Sequence, residues 1–180
     1  MSKKKLLNIM ARKTSNKPKK KNVWESNLDK IEEWLTGKGF RLIKGKQKHI
    51  EDSVDFTVKI VFLGTRATEE NQFYSILHEC GHIMNRTKDS FSKKYKLLKE
   101  GEVSSKKVNS IRYLVEEIEE ETEAWRNGEV LANKLDIQLD SDKYYTYASK
   151  FLMSYIVMAG KGKEYVLGRQ TKDKDQEDNK

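Results

Sequence analysis

His78, Glu79 and His82 stand in the order H-E-x-x-H within Leu77-His78-Glu79-Cys80-Gly81-His82-Ile83. On a helix, residues four apart share a face, so both imidazoles can reach one metal ion. A glutamate beside the first histidine then lies next to a metal-bound water, where it can act as general base. The chain has three histidines in all, His49 being the third. With histidine this rare, a chance match to the pattern is about a one-in-a-hundred event. The chemistry suggested is metal-assisted hydrolysis, with zinc as the cofactor.

A catalytic zinc ordinarily has three protein ligands and one open position. The metzincin extension requires glycine at 85 and histidine at 88, where this chain has Asn85 and Lys88. A carboxylate from a later helix is the economical third ligand. The acidic run Glu116-Glu117-Ile118-Glu119-Glu120-Glu121-Thr122-Glu123 offers the candidates. The apolar stripe of the surrounding helix is Ile111, Leu114, Ile118, Trp125, Ala132 and Leu135. Glu121 is three residues past Ile118 and four before Trp125, so it shares that inward face. An unpaired inward carboxylate costs roughly several kcal/mol, and a zinc ion would supply the missing cation. Glu117, one turn earlier, is an alternative ligand or a supporting residue. Glu116, Glu119, Glu120 and Glu123 are expected to face outward, although Glu120 and Glu123 stay open as third ligands.

These residues resemble the gluzincins, and more narrowly the compact metallopeptidases of the ImmA/IrrE and minigluzincin type found in bacteria and phages. The likeness rests on His78-Glu79-Cys80-Gly81-His82 and on Glu121-Thr122-Glu123-Ala124. Minigluzincins place a ligand at the first glutamate of an E-x-x-A pattern, which maps to Glu121. Trp125 stands where these families often carry asparagine or aspartate. The resemblance covers roughly residues 54–135. It implies a zinc metallopeptidase acting on a protein or peptide substrate, with Glu79 as the catalytic base.

The elements that must position the site follow from periodicity. Residues 23–36 read as a helix and Phe40–Lys44 as a short strand. The β-branched and aromatic stretch Val54–Gly64 reads as a strand with Val54, Phe56, Val58 and Ile60 on one side. Thr68 caps the motif helix, and Glu69 and Glu70 suit its first turn. The helix has Phe73, Ile76, Leu77, Cys80, Ile83 and Met84 inward and is expected to end near Asn85. Cys80 therefore points to the core, and Gly81 suits close approach of a neighbouring backbone. Residues 86–107 read as a long loop near the site mouth, 108–135 as a long helix and 142–159 as a last one. Tyr144, Tyr147, Phe151, Tyr155 and Met158 are inward positions of that last helix. The fold class is α+β and zincin-like: a small β-sheet packed on the motif helix and the ligand-bearing helix, with a mostly helical C-terminal half. An electrophilic donor for the reaction is expected among His49, Tyr113, Tyr144, Tyr145 and Tyr147.

Charge sorts the remaining possibilities. The net charge is +8, but residues 1–22 alone carry +9 and residues 161–180 carry +1, leaving −2 for residues 23–160. Basicity belongs to a terminal arm, not to the domain. Lysine outnumbers arginine 29 to 7, which is poor composition for gripping phosphate. The expected organisation is a disordered basic arm over 1–22, a domain over 23–160 and a disordered polar tail over 161–180. Nucleic acid binding through the arm and a non-catalytic zinc-binding interaction protein are the rival functions. Cys80 is the single cysteine, so no internal disulfide forms, and a reducing compartment is expected: the cytoplasm, or a host's if the gene is viral. No apolar run is long enough to cross a membrane.

Overall fold

The computed structural model describes residues 23–45, 52–98 and 110–177, with side chains through residue 160. The basic arm, His49 and residues 99–109 lie outside the described residues. The elements are α1 (Val23–Gly37), β1 (Arg41–Gly45), β2 (Ser53–Asp55), β3 (Ile60–Gly64), α2 (Glu69–Arg86), α3 (Phe91–Lys94), α4 (Ile111–Lys134) and α5 (Ser141–Glu177). A mixed three-stranded sheet packs against helices, and helices dominate the C-terminal half.

The sheet has strand order β1-β3-β2, with β1 parallel and β2 antiparallel to β3. The single strand expected over 54–64 is a hairpin. Asp55 makes it one: its Oδ1 accepts from the backbone N–H of Thr57 at 2.8 Å and of Val58 at 3.1 Å, an Asx-type turn that reverses the chain. Lys59, at φ 54°, completes the turn. The inward phase shifts with it. Val61 and Leu63 of β3 are fully buried, whereas Val58 is exposed.

The core joins α1 (Ile31, Leu35), β3, α2 (Phe73, Ile76, Leu77, Cys80) and α4 (Leu131, Ala132) with Tyr144 of α5. Apolar residues at helical spacing put one face of α2 inward, and Thr68 caps it by accepting from the Asn71 N–H. Ser110 caps α4 in the same way on Tyr113. The far end of α4 is held by Lys30 of α1, whose ammonium donates to the carbonyls of Leu135 and Asp136 at 3.1 and 2.8 Å.

Helices α2 and α4 lie against each other along their length. Small residues set their separation. A Cβ on Gly81 would sit 1.9 Å from the Ala124 carbonyl oxygen, and one on Gly128 would sit 2.8 Å from that of Leu77. The inward stripe of α4 differs from the expected one. Ile111 is exposed, and Glu116 and Glu120, expected outward, are buried together with Ala124, Trp125, Asn127 and Gly128. The first half of this helix buries acid because basic and amide groups meet it there. Helix α5 continues to Glu177, past residue 160 where a polar tail was expected; the added sequence is rich in Lys, Glu and Gln, which are good helix formers. Of the positions expected inward, Met158 is largely exposed, because α5 outruns the body it packs on, and Phe151 is partly exposed because it packs on Trp125 and Tyr147 at the wall of an open cleft. No described helix is long and apolar enough to cross a membrane.

Candidate metal centre

The i,i+4 spacing on α2 sets the His78 and His82 rings edge to face, with centroids 4.4 Å apart. Their Nε2 atoms are 3.1 Å apart. Because α4 lies so close, Glu121 reaches both: Oε2 is 3.2 Å from His78 Nε2, and Oε1 is 3.7 Å from His82 Nε2. One donor atom from each residue falls within 4.8 Å of the others. Zinc bonds of about 2.0–2.2 Å in a tetrahedron imply ligand atoms roughly 3.3 Å apart. The triad therefore has the spacing and the N,N,O donor chemistry that a zinc ion requires. It is a zincin-like metal-binding cluster of His78, His82 and Glu121.

Glu120 orients one ligand. Its carboxylate accepts from His82 Nδ1 at 2.9 Å, which leaves the Nε2 lone pair for a cation. Asn85 fixes Glu120 in turn, donating to its Oε1 at 3.1 Å and its backbone carbonyl at 3.3 Å. Asn127 then donates to Asn85, and Lys88 donates to Asn127. Glu117, the supporting residue expected from the sequence, lines the cleft instead. Its carboxyl is pushed up by burial and by Glu121 and Glu120. The signal for Glu120 was present but faint: Asn85, three residues past His82, is an amide on the inner side of α2.

His78 is treated differently. Its ring stacks on Trp125, centroids 4.1 Å apart and planes 17° from parallel. Its Nδ1 is buried with no hydrogen-bond partner, and so is Trp125 Nε1. Trp125 thus holds this ring by its face, not by an acceptor.

The protons follow this asymmetry. Burial works against charge on His82, but the hydrogen bond and charge of Glu120 outweigh it and raise its pKa to about 9. Burial and the neighbouring His82 keep His78 low. Burial opposes ionisation of Glu121, and the two histidines overcome that to hold it below the usual range. Glu79 is 5% exposed, and burial pushes its carboxyl up to about 8. The pair of imidazoles thus holds a proton on His82 at neutral pH, and a metal must displace it. Because the folded pKa is raised, the proton competes until pH passes about 9. Zinc affinity should rise about tenfold per pH unit between roughly 6 and 8. Zinc titration against a competing chelator reads this directly; a flat profile would mean that Nε2 is already free.

The cluster opens into a cleft of ≈ 820 Å³. Ser53 and Val54 of β2, Tyr113 and Glu117 of α4, and Phe151 and Tyr155 of α5 line it, with Phe56, Arg86 and Phe91. Phe91 and Leu98 bring the segment after α2 to the cleft, as the sequence suggested. Of the expected electrophilic donors, Tyr113 lines the cleft. Tyr144 is buried and donates to the Trp125 carbonyl, Tyr145 donates to Glu129, and the Tyr147 hydroxyl pairs with Ser75. Tyr155, read only as an inward position, lines the cleft with Glu121, and burial together with the Glu121 charge pushes the Tyr155 hydroxyl up. Cys80 is fully buried in the core, away from the cleft.

Neither family models, curated proteins nor solved structures give a match to this chain. The site therefore rests on its own geometry.

Proposed function

We propose that this chain is a zinc-dependent metallopeptidase of the gluzincin type. The observation that carries the reading is the convergence of His78 Nε2, His82 Nε2 and the Glu121 carboxylate at zinc-ligand spacing, with Glu79 in the same cleft. A zinc ion held there would supply a Lewis acid and a water acidified toward a pKa of about 7. The ionised form of Glu79, whose share grows as pH rises toward about 8, takes up a proton from water at its carboxylate and hands it to the leaving amine. Its buried position keeps that proton from bulk solvent between the two transfers. Tyr155 is the phenol best placed to donate to the developing oxyanion, since it already faces Glu121.

A peptide suits the cleft. Strand β2 lies at the edge of the described sheet, and its Ser53 and Val54 line the cleft. An extended peptide can add to such an edge through main-chain hydrogen bonds.

Metal content tests the reading. Purified protein should contain about one zinc per chain, as the triad offers one closed set of ligands. The changes His78→Ala and Glu121→Ala should each remove it, whereas Glu117→Ala should not. Zinc retained in Glu121→Ala would move the third ligand elsewhere. For the phenol, Tyr155→Phe should lower kcat about a hundredfold with metal content unchanged. An unaltered kcat would leave Tyr155 no part in the reaction.

A further inference from the structure

Arg86 extends the row that His78 and His82 begin. The three are spaced four apart on α2, so Arg86 projects from the same face one turn beyond His82. It lines the same cleft. Its guanidinium lies 4.1 Å from the centroid of the Phe56 ring and 5.6 Å from that of Phe91. Both rings are anchored: Phe56 packs edge-on against Phe40, and Phe91 against Tyr95. The platform holds the cation by its face and leaves the N–H donors at its rim to other groups.

Nearby cations are satisfied by acid. Lys88 and Lys94 share Glu123, and Arg112 pairs with Glu116. Arg66, which also lines the cleft, is already engaged. Among the described residues no carboxylate pairs with Arg86. A favourable place near the C-terminal end of α2 accounts for a cation there. It does not account for an arginine laid on two anchored rings inside a cleft where Asp52, Glu117 and Glu120 also stand.

We propose that Arg86 is a specificity residue that binds a carboxylate of the substrate. This rests on the metallopeptidase reading and names the substrate class: peptides with an acidic group close to the cleaved bond. Four residues of helix advance about 6 Å. An extended peptide covers that distance in about two residues. The acid is therefore expected about two residues from the bond, as an aspartate or glutamate side chain or as the chain terminus. Acid at other positions meets the cleft's own carboxylates and is disfavoured.

The test uses the full-length Glu79→Gln protein loaded with zinc, its zinc content measured first. The probes are short peptide hydroxamates, which attach to zinc, carrying Glu or Gln at each of three successive positions, with free or amidated C-termini. One position should show at least a tenfold preference for Glu over Gln, or for the free over the amidated end, which tells the two carboxylate sources apart. Adding Arg86→Gln should bring that ratio to within twofold, and Arg86→Lys should restore part of it. A ratio is insensitive to a general loosening of the fold. A zinc-loaded protein with no acidic preference, or one whose preference survives Arg86→Gln, overturns the assignment while leaving the metal site standing. A protein that takes up no zinc overturns the metallopeptidase reading and this proposal with it.

Discussion

Replacing Glu79 by glutamine is expected to abolish peptide hydrolysis while the protein stays folded and keeps its zinc. Glutamine has the same shape and cannot take up the proton. A positioned general base contributes about a hundredfold to ten-thousandfold, so kcat should fall by that factor. Glu79 is not one of the three residues whose donor atoms converge, so zinc content should not change. Stability should hold or rise. Burial already pushes the Glu79 carboxyl up to about 8, which means that its charged form is disfavoured in this fold, and a neutral amide of equal volume avoids that cost. The measurement is kcat on a cleavable peptide, beside zinc content and melting temperature, for the wild type and Glu79→Gln. Full activity in the variant would remove Glu79 from the chemistry and favour a protein that uses zinc only to bind a partner. Parallel loss of zinc and activity would make Glu79 a structural member of the site.

The parts of the site legible in the sequence were those governed by local periodicity. Thr68 and the apolar spacing from Phe73 to Met84 define α2, and the histidine spacing on it follows without tertiary information. Helical phase also placed Glu121 on the side that meets α2, although the stripe used to set that phase included Ile111, which is exposed. What escaped depends on partners distant in sequence. Glu120 is buried because His82 and Asn85 satisfy it from 35 or more residues away. Glu116 is buried because the Leu97 N–H, 19 residues away, reaches it, with Arg112 adding a partner from one turn earlier on its own helix. In a run of six glutamates, composition speaks for a solvated face, and only the facing helix decides otherwise. The β2–β3 hairpin failed for the opposite reason. A single side chain, Asp55, overrides a stretch whose β-propensity is continuous. The Trp125 stack shows the same limit, since nothing in the sequence places an indole on a particular imidazole.

Gly81→Ala should be the most damaging single-methyl change in the domain. Within an isolated helix, alanine is better than glycine by about 1 kcal/mol, so local propensity predicts stabilisation. The packing predicts the reverse. The new Cβ would lie 1.9 Å from the Ala124 oxygen and 2.6 Å from its carbonyl carbon. Both are backbone atoms, and no rotamer change can relieve them. The α2–α4 spacing must open by more than an ångström, and that spacing is what brings Glu121 within 3.2 Å of His78. Overpacking typically costs 1–3 kcal/mol, and a clash with backbone belongs at the upper end, so a net loss of about 2 kcal/mol or more is expected after the propensity gain. Zinc affinity should fall with it, because the third ligand moves away from the other two. Gly37→Ala is the control: a Cβ there meets nothing within 4 Å, so both stability and zinc affinity should be unchanged within error. Denaturant midpoints and zinc titrations on the two variants separate the effects. If Gly81→Ala were as stable as the wild type and bound zinc as tightly, the close crossing of α2 and α4 could not be what assembles the site.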